Sequence, residues 1–276
     1  MAIAGLYLMA NSINQSRVKR WQTWYTVIAF LYMYLPIAVL TIFSFNKSQS
    51  PSQWTGFTWE WYAKFLQNPT LLTALRNSLS VALTAVSVSA VLGTLTAVGL
   101  ARYYFPGKGL YRGVSYLPLI MPDIAIAVAT LVFFAAIKLP LSLVTIVIAH
   151  IVFCLSYVAV VVSSRLATID PKLEEAALDL GATPIQAFLR VLLPQLLPGI
   201  LSGCLLAFIL SMDDLVIAYF TAGVGATTLP IAIFASLRSG GVTPELNALS
   251  VLLIIASASM AAIAETVRSW GNHDSG

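Results

Sequence analysis

Six stretches of mostly apolar residues run along this chain, at about 21–45, 77–101, 113–137, 141–163, 198–222 and 246–267. Each is long enough to cross a bilayer as a helix, which takes roughly 20 apolar residues. Only 9% of the residues are charged and 59% are hydrophobic. A soluble domain carries about 25% charged residues, so this chain has too little polar surface to cover a water-soluble globule. The expectation is an all-α integral membrane protein with six transmembrane helices. Lys138 and Pro140 divide the apolar run between the third and fourth spans into a hairpin.

Orientation follows from the basic residues in the connections, because cytoplasmic loops carry the excess of Lys and Arg. With the N-terminus inside, Arg17, Lys19, Arg20, Arg102, Lys108, Arg112, Arg165, Lys172, Arg190 and Arg268 are cytoplasmic. Lys47, Lys64, Arg76, Lys138 and Arg238 fall on the other side. That asymmetry predicts N-in and C-in. The sequence pI near 9.1 then reads as membrane orientation, not as nucleic-acid binding. The expected organisation is a cytoplasmic or interfacial segment at 1–20, one six-span domain at 21–268 and a cytoplasmic tail at 269–276. "MAIAGLYLMA" has no basic residue before it and no cleavage site, so it reads as an interfacial segment, not a secretory signal.

Cys154 and Cys204 lie in apolar runs without zinc or redox spacing, and read as packing thiols. His150 likewise reads as a packing histidine, with no second metal ligand at a useful spacing. Trp54, Trp59, Trp61 and Tyr62 suit a segment lying at the outer lipid interface. The glycine-bounded apolar stretch between spans five and six is too short to span and reads as a re-entrant or interfacial helix.

The connection 165–197 is long for a membrane-protein turn. Asp170 followed by Pro171 signals a helix start, and Glu174 and Glu175 complement the dipole of its first turns. Gly181 reads as its C-terminal cap. Pro184 heads a second helix, expected to end at Pro194 and Pro198. Two short helices form a knob on the cytoplasmic side.

Glu175-Ala176-Ala177, followed by Gly181 and then Val191-Leu192-Leu193-Pro194, resembles the "EAA" loop of binding-protein-dependent ABC importer permeases. That family commonly has Ile where this chain has Val191. "SRLATIDPKLEEAALDLGAT", "LSMDDLVIAYFTAGVGATTLP", "PELNAL" and "LPLIMPDI" extend the likeness, from about residue 20 to 268, to the polyamine (putrescine/spermidine) permeases, in particular those of putrescine type. The resemblance implies the ABC importer permease fold, with coupling helices between spans four and five. Glu174, Glu175, Ala176, Ala177 and Gly181 would contact the ATPase. It also implies a homologous second permease, two copies of a cytoplasmic ATPase that carry the ATP and Mg, and a periplasmic polyamine-binding protein. The location would be the bacterial inner membrane. No cofactor or metal is expected in this chain.

Asp123, Asp213 and Asp214 stand inside spans. An acid at the bilayer centre costs about 2.5 to 3.5 kcal/mol, so such residues face a protein interior or an aqueous path. Asp213 lies 15 residues beyond Pro198, about 22 Å along a helix, in the outward half under the expected orientation. Asp214 points about 100° away from it on a regular helix; a break near Met212 relaxes that limit. Asp123 follows Pro118 and Pro122 and, by helical rise, lies about 15 Å into span three, near the midplane. No Lys or Arg stands in any span to neutralise them. Asp213, Asp214 and Asp123 are therefore candidates for guiding an organic cation, with Tyr219 and Tyr116 as candidate cation–π partners.

Other readings explain less. A permease for another small cationic solute fits the same acids. A proton-coupled secondary transporter would use intramembrane acids too, but usually shows duplicated halves, and no internal repeat is evident. An intramembrane aspartyl protease built on Asp123 and Asp213 would carry Gly-x-Gly-Asp, where this chain has "SMDD". No phosphate-binding G-x-x-x-x-G-K-[ST] loop is present, so ATP hydrolysis belongs to partner subunits.

Overall fold

The computed structural model describes residues 2–48, 53–241 and 243–273. Among the described residues all regular elements are helical, apart from one isolated bridge between Asn46 and Phe57. Five helices are long and apolar enough to cross a membrane, and a sixth candidate is a bent pair.

The chain divides into two compact units, residues 1–64 with 242–251, and residues 65–241 with 252–276. In the first, helix α1 runs unbroken from Ala2 to Phe43, so the expected N-terminal segment and first span share one helix. Its side chains from Trp21 to Leu35 are exposed. Beyond α1, Asn46 organises the turn: its Nδ2 donates to Gln53 O at 2.7 Å and its Oδ1 accepts from Thr55 N at 3.0 Å. Trp61, on α2 (Glu60–Gln67), is buried and donates its indole N–H to Asn46 O at 2.7 Å. It is therefore a core residue, not the lipid-interface anchor its neighbours suggested. Trp59 and Tyr62 pack against Phe45, while Trp54 stays half exposed.

The second unit is built around α6 (Leu143–Leu166), packed between α3 (Pro69–Arg102) and α9 (Leu193–Asp213). The start of α3 is set by Asn68, whose side-chain Oδ1 accepts from Thr70 N and Leu71 N, with Pro69 at the first helical position. It thus begins eight residues before the expected second span. Small residues let the three helices touch. A Cβ on Gly93 of α3 would lie 2.9 Å from Val158 Cβ, and one on Gly203 of α9 would lie 3.3 Å from Val158 Cα. Close backbone approach is how membrane helices gain packing energy where lipid supplies no hydrophobic drive.

The expected third span is not one helix. Helix α4 (Lys108–Tyr116), continued by a short 3-10 turn to Leu119, meets α5 (Asp123–Ala136) at 113°. Pro118 and Pro122 cause the break, since neither can donate a backbone hydrogen bond. Asp123 consequently begins a new helix, and its depth cannot be counted by rise from the start of α4.

The 165–197 connection also departs from expectation. Helix α7 (Lys172–Asp179) starts as read, with Asp170 Oδ1 accepting from Lys172 N at 3.0 Å. It ends at Gly181, φ +88°, with Ala182 N donating to Ala177 O and Gly181 N to Leu178 O, a Schellman motif. The next helix, α8 (Pro184–Ala187), is capped by Thr183 and Gln186. It does not stop at Pro194 or Pro198. A π-helical turn at Phe188–Leu192 leads directly into α9, giving one apolar helical run, Pro184–Asp213. The wider turn accommodates the missing donor of Pro194, and Pro198 stays inside α9.

After α9 come α10 (Val216–Thr221), α11 (Leu229–Gly240) and α12 (Pro244–His273). Helix α11 is the short apolar helix anticipated between spans five and six. The expected tail at 269–276 begins inside α12, and its residues 274–276 lie outside the described residues.

Candidate functional site: an acid-lined cavity at a helix break

Helix α9 ends at Asp213 because Asp214 turns the backbone to an extended conformation, φ −69° and ψ 120°. The side chain of Asp214 then caps α10. Its Oδ1 accepts from Ile217 N at 3.2 Å and its Oδ2 from Ala218 N at 2.7 Å. An aspartate at a helix start satisfies donors that have no partner within the helix. The break thus falls two residues beyond Met212.

Because the backbone turns there, the two aspartates have separate surroundings. The Asp214 side chain is 10% exposed and its Oδ2 lies 3.2 Å from Nε2 of His150, on α6. His150 is itself buried, with Nδ1 2.7 Å from Ser211 Oγ. This imidazole is a polar partner of the acid pair, beyond the packing role read for it. Asp213 is exposed and makes no hydrogen bond or ion pair with a described residue.

Asp123, Asp213 and Asp214 line one open cavity of about 260 Å³, together with Pro118, Phe153 and Tyr157. No Lys or Arg lines it. Asp123, also exposed and unpaired, stands in the first turn of α5, next to the proline break. Asp213 additionally faces a cavity of about 490 Å³ whose other wall includes Leu253, Ile254 and Ser257 of α12. The arrangement can hold an organic cation: unneutralised carboxylates attract ammonium groups, and aromatic rings accept the charge and the apolar stem. Among the described residues no group of His, Cys, Asp and Glu is arranged to hold a metal ion.

The two tyrosines singled out in the sequence are elsewhere. Tyr219 packs edge-on against Phe220 and Phe234 and is 52% exposed. Tyr116 contacts Ser163 through its hydroxyl at 3.1 Å. The cavity's rings are Phe153 and Tyr157, both on α6 within three and seven residues of His150. One signal was available: positions 150, 153 and 157 share a face of a helix.

The knob at α7 and α8 offers a second surface. Leu180 is 90% exposed and Ile185 71%, while Glu175 and Ala176 also face outward. Glu174 turns inward, its Oε2 3.1 Å from Nε of Arg102 at the end of α3. Ala177 is half-buried and supplies the carbonyl for the cap around Gly181.

The chain is similar to known transport proteins over most of its length. Residues 89–270 match the family described as binding-protein-dependent transport system inner membrane component. Putrescine transport system permease protein PotI of Escherichia coli strain K12 is 42% identical over 241 residues, 85% of each chain. Spermidine/putrescine transport system permease protein PotC of Haemophilus influenzae is 37% identical over 246 residues, 89% of this chain and 95% of that one. Among solved structures, a chain of a bacterial ABC transporter that imports the acidic polysaccharide alginate shares the fold. Its TM-score is 0.67 at 15% identity, covering 87% of this chain and 92% of that one. A chain of the MetNI methionine ABC transporter in an inward-facing conformation gives 0.56 at 21% identity, covering 78% and 99%. With five to six apolar spans and these relatives, the chain belongs to the binding-protein-dependent transport system inner membrane components, the permease subunits of ABC importers.

Proposed function

We propose that this chain forms half of the translocation path for a polyamine, putrescine or spermidine, across the bacterial inner membrane. The observation that carries the reading is the meeting of Asp123, Asp213 and Asp214 at one cavity without a neutralising cation. The kinship to PotI and PotC, whose names specify putrescine and spermidine, supports the choice of solute. A diammonium chain would place its charged ends near Asp213 and Asp123 and its stem against Phe153 and Tyr157.

In this reading a periplasmic binding protein delivers the solute and a homologous permease forms the other half of the path. Two cytoplasmic ATPase subunits carry ATP and Mg and dock on the knob at Glu175, Ala176 and their exposed apolar neighbours. The continuous run from Pro184 to Asp213 supports a direct mechanical link: displacement of the knob travels along a helix to the break. The six-span reading draws support from a parity argument, while the N-in and C-in orientation rests on the basic residues of the connections. The Arg102–Glu174 ion pair sets the end of α3 beside the helix that follows α6. In this reading α3 and α6 finish on one side, and α4 and α5 carry the chain across between them. The bent pair then counts as a broken span. We keep with it the organisation proposed from sequence, a core domain at 21–268 between a cytoplasmic or interfacial segment at 1–20 and a cytoplasmic tail at 269–276.

Uptake of labelled putrescine in cells supplying all partner subunits tests the reading. The variant carrying Asp213→Asn and Asp214→Asn is compared with the native chain at equal membrane abundance and intact assembly. Abolished uptake is expected. Undiminished uptake would return the acids to a structural role, and no uptake by the native chain would move the solute to another small cation.

A further inference from the structure

The ring of His150 is 1% exposed in the middle of an apolar span, and both its nitrogens point at polar groups of the broken helix. Nδ1 reaches Ser211, in the last turn of α9, and Nε2 reaches Asp214, which caps α10. The Nε2 approach, at 3.2 Å, lacks the alignment of a hydrogen bond. The ring centre is also 5.1 Å from that of Phe153, a wall of the acid-lined cavity. Packing alone gives no reason for this residue type. Burying a polar ring costs free energy unless partners are supplied, and an apolar side chain would fill the space without that cost.

A bare Nε2 facing a carboxylate oxygen would set lone pair against lone pair, so Nε2 carries a proton; in the neutral ring Nδ1 then accepts from the Ser211 hydroxyl. The carboxylate of Asp214 is then held from two sides, by amides of α10 and by the ring of α6. With Ser211 and Asp214 both tied to His150, the two residues between them, Met212 and Asp213, have little freedom to turn.

We infer that His150 is a positioning residue of the transport path: through Ser211 and Asp214 it fixes the break between α9 and α10, and thereby aims Asp213 into the cavity. Its value for transport rests on the proposed function of the acids; its geometric content does not. The ring need not touch the solute.

The test uses Val216, which lines the cavity just past the break, as a reporter. The chain with Val216→Cys is produced with its transport partners, and membranes are labelled with a small ammonium-bearing thiosulfonate reagent. The parent chain with its two native cysteines serves as the blank. His150→Phe is expected to change the labelling rate by about tenfold, the upper end of what goes with losing one neutral hydrogen bond, here the one to Ser211, together with the polar contact to Asp214. Ser164→Cys, at the far end of α6, is expected to stay within about twofold, as distant sites behave independently. His150→Gln, which keeps a donor, is expected to return most of the native rate at Val216→Cys. An unchanged rate at Val216→Cys in His150→Phe overturns the inference. So does an equal change at both reporters, or failure of Gln to restore what Phe does not. Protection by putrescine is read in the same membranes: its absence, with labelling still dependent on His150, removes the polyamine reading and supports the positioning role.

Discussion

Asp213 and Asp214 are identical side chains one peptide apart, yet the backbone turn between them assigns them different work. The Asp214 oxygens are committed to the amides of Ile217 and Ala218, with His150 alongside. Asp213 has no protein partner among the described residues and faces open space on two sides. Single substitutions should therefore separate them. Asp213→Asn is expected to raise the KM for putrescine about tenfold or more, the worth of one charged hydrogen bond, at unchanged abundance. Asp214→Asn is expected to act on the maximal rate or on the amount of folded protein, with KM close to native. Uptake kinetics normalised to membrane abundance distinguish the two; a KM effect confined to Asp214→Asn would reverse the assignment. The rings follow the same logic. Tyr157→Leu should weaken apparent affinity by roughly two- to thirtyfold, the range of a cation–π contact of about 0.5 to 2 kcal/mol. Tyr219→Leu should leave it near native, since that ring packs on Phe220 and Phe234. The acids were legible in the sequence because carboxylates in an apolar run are conspicuous. His150 and Tyr157 were not, because their role comes from α6 lying beside a break in α9, and no local pattern encodes that neighbour.

At the scale of the element, helix ends were legible where a local signal governs them. Asp170 with Pro171 starts α7 and Gly181 ends it, each through hydrogen bonds within a few residues. Prolines were less legible, because their effect depends on what the surroundings can absorb. Pro118 and Pro122 bend the chain by 113° between α4 and α5, whereas Pro194 and Pro198 are carried within one run behind a π-helical turn. The packing of α6 against α3 gives a sharper test. Gly93→Leu would drive its Cβ to 2.9 Å from Val158 Cβ and 3.0 Å from Leu155 O, with the rest of the side chain beyond. Overpacking of that kind costs about 1 to 3 kcal/mol. A lower thermal midpoint of the detergent-extracted protein is expected, while Gly113→Ala, with open space around it, should lower it far less. Equal midpoints for Gly93→Leu and the native chain would show that α3 and α6 are not held at this contact.

For the whole molecule, the parity of crossings decides what the cavity and the knob can do together. If the bent pair α4–α5 crosses the membrane, the knob and the end of α3 share one side, and the loop that comes after α10 lies on the other. Contacts within the second unit agree with that division. Asn77, near the start of α3, donates to Thr227 O at 2.9 Å, and Thr145, at the start of α6, donates to Thr221 O at 2.8 Å. One end of the bundle thus gathers the starts of α3 and α6 with the end of α10, and the opposite end gathers Arg102, α7 and α8. A path entered at the first end meets the acids before it reaches the knob, the order an importer needs if a binding protein delivers the solute and an ATPase drives the opening. The expected outcome is specific: Thr227→Cys should react with an impermeant thiol reagent from the periplasmic side of intact cells, and Lys172→Cys only after the membrane is opened. In the assembled complex, Glu175→Cys should also form cross-links to the ATPase subunit. Labelling of both cysteines from outside would make α4–α5 a re-entrant hairpin, leaving the knob without access to ATP and the coupling route along α9 without a driver.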